Sequence, residues 1–508
     1  MKSNKKILDL EALAARVIAL KKQGKKVVLC HGVFDLLHVG HIRHFTEARA
    51  MGDALVVTLT PDEFVNKGPH RPAFTHHLRA EVIAALDMVD FVAINKWPSA
   101  EETLRLLRPS IYAKGPDYKD AAKDVTGGIK KEEAAVKAGG GVIRFTDDLT
   151  FSSSALANQH LTLLPPAVKQ FIESFRARHS SGDVLNYVNE LRSLKVLVVG
   201  ETILDDYIYC DAMGKSSKEP ILAMRQLSYE MFAGGALAIA NHLADFCAEV
   251  RVITYLGKKN PHEEFVRERL KPAVKPTFIY KSDSPTIIKR RYVENYLLSK
   301  MFEVYLMNDE LLEGEDEAAF CRALEEQLPK YDVVIVADYG HGLMTPKAIK
   351  LVSQKAKFLA VNTQINAANI GFHTISKYPR ADYICIHEVE LRLEHRSRKG
   401  NLKQMVEGIA KKMSASKVMV TLGKIGTLIY DGKSNYSNCP AFAVKVVDRV
   451  GAGDALLALT SLCAAKKIPG EVIGFLGNLA GAQAVMIIGN RSAIDRVQLL
   501  KSVESLLK

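Results

Sequence analysis

Short apolar runs alternate with amphipathic stretches through almost the whole chain. In the N-terminal part, "KKVVLCH" (25–31), "ALVVTLT" (54–60), "FVAIN" (91–95), "SIYAK" (110–114) and "GVIRFT" (141–146) have the length and β-branched content of strands. Between them "VGHIRHFTEARA", "HHLRAEVIAALD", "AEETLRLLR" and the segment around Lys130–Ala138 carry helical spacing. Strands alternating with helices predict a parallel sheet, here a compact five-stranded α/β domain over residues 1–162. Pro165 and Pro166 then break the chain, and two short helices around the polar turn "HSSGD" form a linker, 163–193. At Lys195 the strand "KVLVVG" restarts the alternation, giving a second α/β domain over 194–508.

Composition narrows this picture. The length of 508 residues calls for two or three cores. No apolar run reaches the ~18–20 residues needed to cross a bilayer. Asp9, Glu11 and Arg16 interrupt the N-terminal segment, so no signal peptide is read there. The seven cysteines are scattered and form no CxxC pair, which fits reduced thiols and a cytoplasmic protein. The net charge of +12 suits anionic partners. The basic residues are dispersed, so small phosphorylated substrates account for the excess better than nucleic acid does. The sequence leaves a homodimer open.

The stretch "HGVFDLLHVGHIRH" (31–44) holds four of the chain's 15 histidines. His38 and His41 stand three apart where a strand opens into a helix, so both rings share one face. Gly40 lets a ligand approach the backbone. The site lies at the carboxyl edge of a sheet and at a helix N-terminus, both of which favour phosphate. A metal would need a third ligand from His31, Asp35 or His44, and no metal-specific spacing is present. A structural role is the third reading. Phosphate handling is preferred.

These residues resemble the nucleotidylyltransferase superfamily, marked by "HVGH" (38–41). "NKGPHRPAFTHHLRAEVIAALDMVD" resembles that superfamily's basic loop and following helix, "RPSIYAKGPDYKD" its KGxDY segment, and "FSSSAL" its Ser-rich helix start. The resemblance implies a Rossmann-like, cytidylyltransferase-like domain. His38, His41 and Lys67 would be its catalytic residues, with Gly32, Phe34, Gly40, Arg71 and Ser152, Ser153 and Ser154 binding the nucleotide. Arg79 is a further basic position, and Lys114, Asp117 and Tyr118 would meet the substrate. The attacking group would be a phosphate, already anionic, so donors that neutralise the triphosphate matter more than a base.

"VVDRVGAGDALLAL" (446–459) puts Gly451, Ala452 and Gly453 at a helix start, an anion hole beside Asp454. A kinase acting on a hydroxyl needs a base, and Asp454 is placed to be one. Small residues also suit tight packing, so the motif alone is weak. The wider segment resembles the ribokinase-like (PfkB) sugar kinases, α/β domains with a small β lid. The likeness runs through "KVLVVGETILDDY", "FAGGALAIANHLADF", "VADYGHGL" and "VTLGKIGTLIY". It implies sugar contacts at Asp205, Gly234, Gly235 and Asp338, and nucleotide contacts at Thr421, Gly423, Gly426, Gly451, Ala452 and Gly453. "SPTIIKRRYV" resembles the heptose-7-phosphate kinases, placing Lys289 and Arg291 at a sugar phosphate.

The combination resembles the bifunctional heptose-7-phosphate kinase/heptose-1-phosphate adenylyltransferases, with the usual order of domains reversed. It implies ATP and Mg²⁺ as cofactors, with ATP favoured over CTP in the first domain, and Glu390 at the metal. Several positions depart from the family pattern: Ala238 replaces an asparagine, with Asn241 one turn later; "NTQ" (362–364) replaces a DPK-like segment; His387 replaces the asparagine of NxxE. A second reading therefore stays open, in which the kinase-like domain is a non-catalytic sugar-phosphate-binding or dimerisation module.

Overall fold

The computed structural model describes residues 5–65, 72–115, 128–146, 164–432, 434–443 and 445–507. They form two compact units, one of Met1–Ser181 with Val497–Lys508 and one of Gly182–Arg496. The last residues thus group with the first unit. Arg176, on helix Pro166–Arg176, donates to the Leu506 carbonyl at 3.0 Å and satisfies one of the carbonyls that a helix end leaves unpaired.

The first unit is built on six parallel strands in the order β1-β4-β3-β2-β5-β6. They are β1 (Ile7–Leu8), β2 (Val27–Gly32), β3 (Ala54–Leu59), β4 (Phe91–Ile94), β5 (Ile111–Lys114) and β6 (Val142–Phe145). Five strands match the expected runs. The sixth, β1, has only two residues, too few to show a period, and forms by pairing with Val92 and Ala93. Every residue of β3 is buried, as a strand covered on both faces requires. Helix Leu10–Lys22 covers one face with Leu10, Leu13, Ala14, Val17 and Leu20, one apolar stripe, and Asp9 caps it by accepting from Ala12 N–H at 2.7 Å. The chain leaves β2 toward β3 on one side and later returns to β5 on the other. The crevice at the carboxyl ends of β2 and β5 is therefore the switch point, where open α/β sheets bind ligands.

The second unit has a nine-stranded sheet in the order β11-β10-β7-β14-β15-β16-β17-β18-β19 and a four-stranded lid, β13-β12-β8-β9. In the large sheet lie β7 (Lys195–Gly200), β10 (Glu249–Lys259), β11 (Val274–Pro285), β14 (Val333–Asp338), β15 (Leu359–Thr363), β16 (Tyr383–His387), β17 (Lys417–Thr421), β18 (Gly426–Tyr430) and β19 (Tyr436–Pro440). The lid consists of β8 (Thr202–Lys215), β9 (Leu222–Gly235), β12 (Ile287–Glu294) and β13 (Lys300–Leu306). The large sheet is parallel except at β18 and β19. Helices Ala452–Ala465 and Gly470–Ala484 are buried around most of their circumference, which matches their nearly continuous apolar sequence. Here the switch point falls between β7 and β14.

No helix among the described residues is long and apolar enough to cross a membrane.

Candidate functional site

In the first unit β2 ends at Gly32, and the chain turns through Phe34 and Leu36, both left-handed (φ 48° and 56°). The Phe34 ring lies 3.0 Å from where a Gly32 Cβ would stand, so a side chain at 32 would displace it. That ring packs on Phe45 (4.9 Å) and at a steep angle on His41 (5.4 Å). Gly32 and Phe34 therefore shape the turn that carries the histidines.

His38 is the N-cap of helix Val39–Ala50, its Nδ1 accepting from Gly40 N–H at 3.1 Å. In a neutral ring an accepting Nδ1 leaves the proton on Nε2, so that nitrogen is a donor. The His41 ring stacks on His38 with centroids 4.0 Å apart. The pair thus sits at the positive end of a helix, beside the crevice between β2 and β5.

Lys114 ends β5 with its ammonium 2.8 Å from Glu132 and 5.1 Å over the Tyr112 ring, and Tyr112 donates to the same Glu132 at 3.1 Å. His31 Nδ1 is 2.9 Å from Thr58 Oγ1, and His44 Nδ1 is 3.0 Å from Thr146 Oγ1. Burial first, and then the Lys114 charge, hold His31 down to about 3 and His44 down to about 4. Both rings are neutral at pH 7.

Two charged residues do work that their sequence positions did not suggest. Asp35 is fully buried and accepts from Ala73 N–H at 2.9 Å and Phe74 N–H at 3.3 Å. Arg79 is not a surface charge: it is 3% exposed and donates to the carbonyls of Val33, Thr60 and Phe74 and to Asp62. Together they tie the loop after β2 to the start of helix His76–Ala84. Among the described residues no three His, Cys, Asp or Glu side chains gather as metal ligands. Lys67, Arg71, Asp117, Tyr118, Ser152, Ser153 and Ser154 lie outside the described residues.

In the second unit a cavity of about 350 Å³ opens between the lid and the large sheet. Asp205, Lys289 and Arg291 line it from the lid, and Gly451, Gly453 and Asp454 line it from the start of helix Ala452–Ala465. Gly451 caps that helix at φ 83°, a conformation glycine adopts without strain, and a Cβ there would meet Asn490 Oδ1 at 2.1 Å. Open space faces Gly453. Asp454 is buried and accepts from Tyr339 O–H at 2.9 Å and Gln364 Nε2–H at 3.1 Å. Burial raises its carboxyl to about 6, although Tyr339 and Gln364 act in the other direction.

On the lid, Asp205 pairs with Arg291, which also holds Glu303 at 2.9 Å. Gly234 lies across from them, and a Cβ on it would fall 2.2 Å from Asp205 Oδ2: it makes room for the carboxylate. Gly235 (φ 58°) lines the cavity and starts helix Ala236–Leu243. Lys289 is 9% exposed, lies over the Tyr305 ring at 5.2 Å, and has no hydrogen-bonded acceptor among the described residues. Burial lowers its pKa.

Of the other predicted positions, Asp338, Gly423, Gly426 and Ala452 do not line the cavity, while Thr421 and Glu390 do. The Asp338 carboxylate accepts from Tyr378 O–H at 2.5 Å and pairs with Lys377 at 2.6 Å. A Cβ on Gly426 would strike the Cys439 carbonyl at 2.0 Å, so that glycine serves the β18–β19 pairing, and Gly423 is the left-handed turn before it (φ 59°). Ala452 is the first helical residue, and Thr421 at the end of β17 lines the cavity. Asn241 does not stand in for the missing family asparagine: it bonds the backbone of Arg269 and Lys271 at 2.9 and 2.8 Å. His387 and Glu390 form a capping box, with Glu390 accepting from His387 N–H at 2.8 Å and from Ile365 N–H at 3.2 Å. Burial raises Glu390 to about 7. Sequence reasoning missed Tyr339 and Gln364. Adjacency to Asp338 was the only signal for the first, and for the second only its place in the "NTQ" departure, which gave no role.

A doubly wound sheet with a β lid over a glycine-capped helix start is the architecture of a carbohydrate kinase, and the chain belongs to the pfkB family of carbohydrate kinases, whose pattern covers residues 193–495. A cytidylyltransferase-like domain pattern covers residues 29–181. Among curated relatives, the bifunctional protein HldE of Campylobacter jejuni is 27% identical over 314 residues, 61% of this chain and 65% of that protein. HldE of Geotalea uraniireducens is 46% identical over 118 residues, 23% of this chain and 24% of that protein. The chain thus spans about 65% of the length of the first of these relatives. The crystal structure of phosphofructokinase-2 from Escherichia coli in complex with substrates and products matches 62% of this chain and all of that one, at TM-score 0.51 and 16% identity. At that identity the likeness is one of fold.

Proposed function

We propose that the chain is a bifunctional enzyme of nucleotide-sugar synthesis. Its second unit moves the γ-phosphoryl group of ATP to a hydroxyl of a sugar phosphate resembling heptose 7-phosphate. Its first unit transfers a nucleotidyl group, AMP in preference to CMP, to a sugar 1-phosphate and releases pyrophosphate. Lys289 is the observation that carries the kinase half. A buried ammonium with no hydrogen-bonded acceptor is costly, and a phosphate in the cavity would supply one.

In the kinase unit the sugar hydroxyl gives its proton to Asp454 and its oxygen forms a bond to the γ-phosphorus. The β–γ bridging bond breaks and ADP leaves with the electron pair. The N–H groups at Gly451–Gly453 face the phosphates, and Lys289 and Arg291 hold the sugar phosphate. The donors present fit Mg²⁺: Asn362 Oδ1 is buried without a partner, and Glu390 lines the same cavity. Those two would hold the ion's water shell while the nucleotide phosphates supply further oxygens. When bound, the ion neutralises charge on the phosphates.

In the first unit the acceptor is a phosphate oxygen, so no base is required. His38 and His41 neutralise charge developing on the triphosphate, and Lys114, held by Glu132, meets the sugar phosphate. A competing reading keeps the second unit as a binding module, favoured by the commitment of both Glu390 oxygens to backbone N–H groups.

The test is to incubate the full chain with ATP and Mg²⁺ across a panel of sugar phosphates, following ADP and product mass. Pyrophosphate release is followed in parallel with ATP or CTP and sugar 1-phosphates. Sugar-dependent ADP and sugar-1-phosphate-dependent pyrophosphate are expected. Absence of the first leaves the binding-module reading standing.

A further inference from the structure

The two hydrogen bonds to Asp454 fall on one oxygen. Tyr339 O–H reaches Oδ1 at 2.9 Å, and Gln364 Nε2–H reaches the same Oδ1 at 3.1 Å. Oδ2 accepts no hydrogen bond among the described residues, and the carboxylate lines the cavity. A carboxylate whose one oxygen is doubly solvated by fixed donors keeps its electron density available at the other.

Both donors are themselves fixed. Tyr339 N–H is held by Glu201 Oε2 at 3.0 Å, and its carbonyl accepts from Asn366 Nδ2 at 3.0 Å. The next turn is tied to the same carboxylate, because His341 N–H donates to Glu201 Oε1 at 3.0 Å. Gln364 follows the end of β15, and its N–H donates to the Asp338 carbonyl at 2.9 Å. Two loops after neighbouring strands thus converge on a single carboxylate oxygen.

We infer that Tyr339 and Gln364 are positioning residues that commit Asp454 to act through Oδ2. They donate to Oδ1 and never exchange a proton with the substrate. This rests on the kinase reading above and adds to it the orientation of the base. It also gives a role to Gln364, the last residue of the "NTQ" segment. A cation there would bias Asp454 electrostatically, whereas the neutral amide supplies a hydrogen bond and leaves the charge to Lys289. The other titratable or charged groups lining the cavity with Asp454 and Tyr339 are Asp205 on β8, Lys289 and Arg291 on β12, Cys385 and His387 on β16, Glu390 just after it and Arg449 before Gly451.

The experiment compares wild type, Tyr339→Phe, Gln364→Met and Gln364→Lys in the full chain. It uses a sugar phosphate that supports ADP formation, with kcat and kcat/KM measured across pH. Each donor favours the ionised carboxylate. Tyr339→Phe and Gln364→Met should therefore move the acid limb of kcat/KM upward by roughly half to one pH unit and lower turnover by roughly two- to five-fold near pH 6. KM for ATP and the melting temperature should stay close to wild type. Gln364→Lys should move the limb the other way. Acid limbs coincident with wild type in both Tyr339→Phe and Gln364→Met overturn the inference while leaving the kinase reading intact. A wild-type chain with no sugar-dependent ATP turnover on any substrate overturns the kinase reading itself. Gln364→Met keeps the test decisive if Tyr339→Phe, which alters a buried ring, fails to fold.

Discussion

Under the proposed function the two units would handle phosphate with opposite materials. In the first unit, His31 and His44 are neutral imidazoles tethered to Thr58 and Thr146, and His38 accepts from its own helix start. Its carboxylates are spent on scaffolding, Asp35 on backbone N–H groups and Glu132 on Lys114 and Tyr112. The cavity of the second is lined by a buried carboxylate of raised pKa and by a lysine with no hydrogen-bonded acceptor among the described residues. The contrast follows from the nucleophile. A phosphate that attacks is already ionised and needs only charge relief. A hydroxyl that attacks must lose a proton to something, and in the proposed kinase reaction Asp454 takes it.

The largest effects should come from separating the halves. Asp454→Asn should lower sugar-dependent ADP formation by roughly 10²–10⁴-fold while leaving pyrophosphate release untouched. His41→Ala should do the reverse, with a loss of about 3 kcal/mol in nucleotidyl transfer, roughly 10²-fold. Measuring both products in both variants checks the pair. ADP formation at the wild-type rate in Asp454→Asn would make the second unit's carboxylate a bystander and end the contrast.

Next in size is Lys289→Met. Losing a charge-assisted hydrogen bond costs about 1.5–3 kcal/mol, so KM for the sugar phosphate should rise by roughly 10–100-fold with kcat less affected. An unphosphorylated sugar analogue should not register the change. Equal losses for both substrates would mean that Lys289 supports the lid rather than the phosphate.

The pH profiles sharpen the same contrast. Burial raises Asp454 to about 6, so its base form disappears as pH falls through 6, well above the point for an ordinary aspartate. His31 and His44 are held down to about 3 and about 4, so they stay neutral over that interval. ADP formation should therefore fade between pH 7 and 5 while these two rings contribute no acid limb to pyrophosphate release. The sign for stability is separate. A histidine depressed in the folded chain stabilises it above the unfolded pKa, near 6.5, and that contribution is lost as pH falls toward the folded value.

Much of this was legible in the sequence because periodicity and glycine placement are local. The runs that became β2 to β6, the glycine-capped helix start at Gly451–Gly453 and the paired histidines can be read within a dozen residues. Long-range polar choices cannot. Nothing near Gly234 shows that it faces Asp205 across a strand pair, and nothing near Arg79 shows that it ends among the carbonyls of three separate segments. Gln364 looked like a departure from a family pattern, and only the convergence of two loops on Asp454 Oδ1 shows what it touches. The two-residue β1 exists through its pairing partner alone.

The smallest predicted effect concerns His44, which shares a helix face with His38 and His41 at spacings of three. Its Nδ1 is bonded to Thr146, beyond the end of β6, and Thr146 Oγ1 also lies 3.3 Å from the Lys114 carbonyl. A ring used this way steadies the wall of the crevice, and its low pKa gives it no charge to offer a phosphate at pH 7. His44→Ala should therefore lower pyrophosphate release by only a few-fold and reduce stability by about 1–2 kcal/mol, read as a shift in melting temperature. His44→Gln restores a side-chain hydrogen-bonding group and should recover most of both. If His44→Ala proved as damaging to turnover as His41→Ala while leaving stability unchanged, three histidines rather than two would carry the chemistry of the first unit, and its contrast with the single carboxylate of the second would widen.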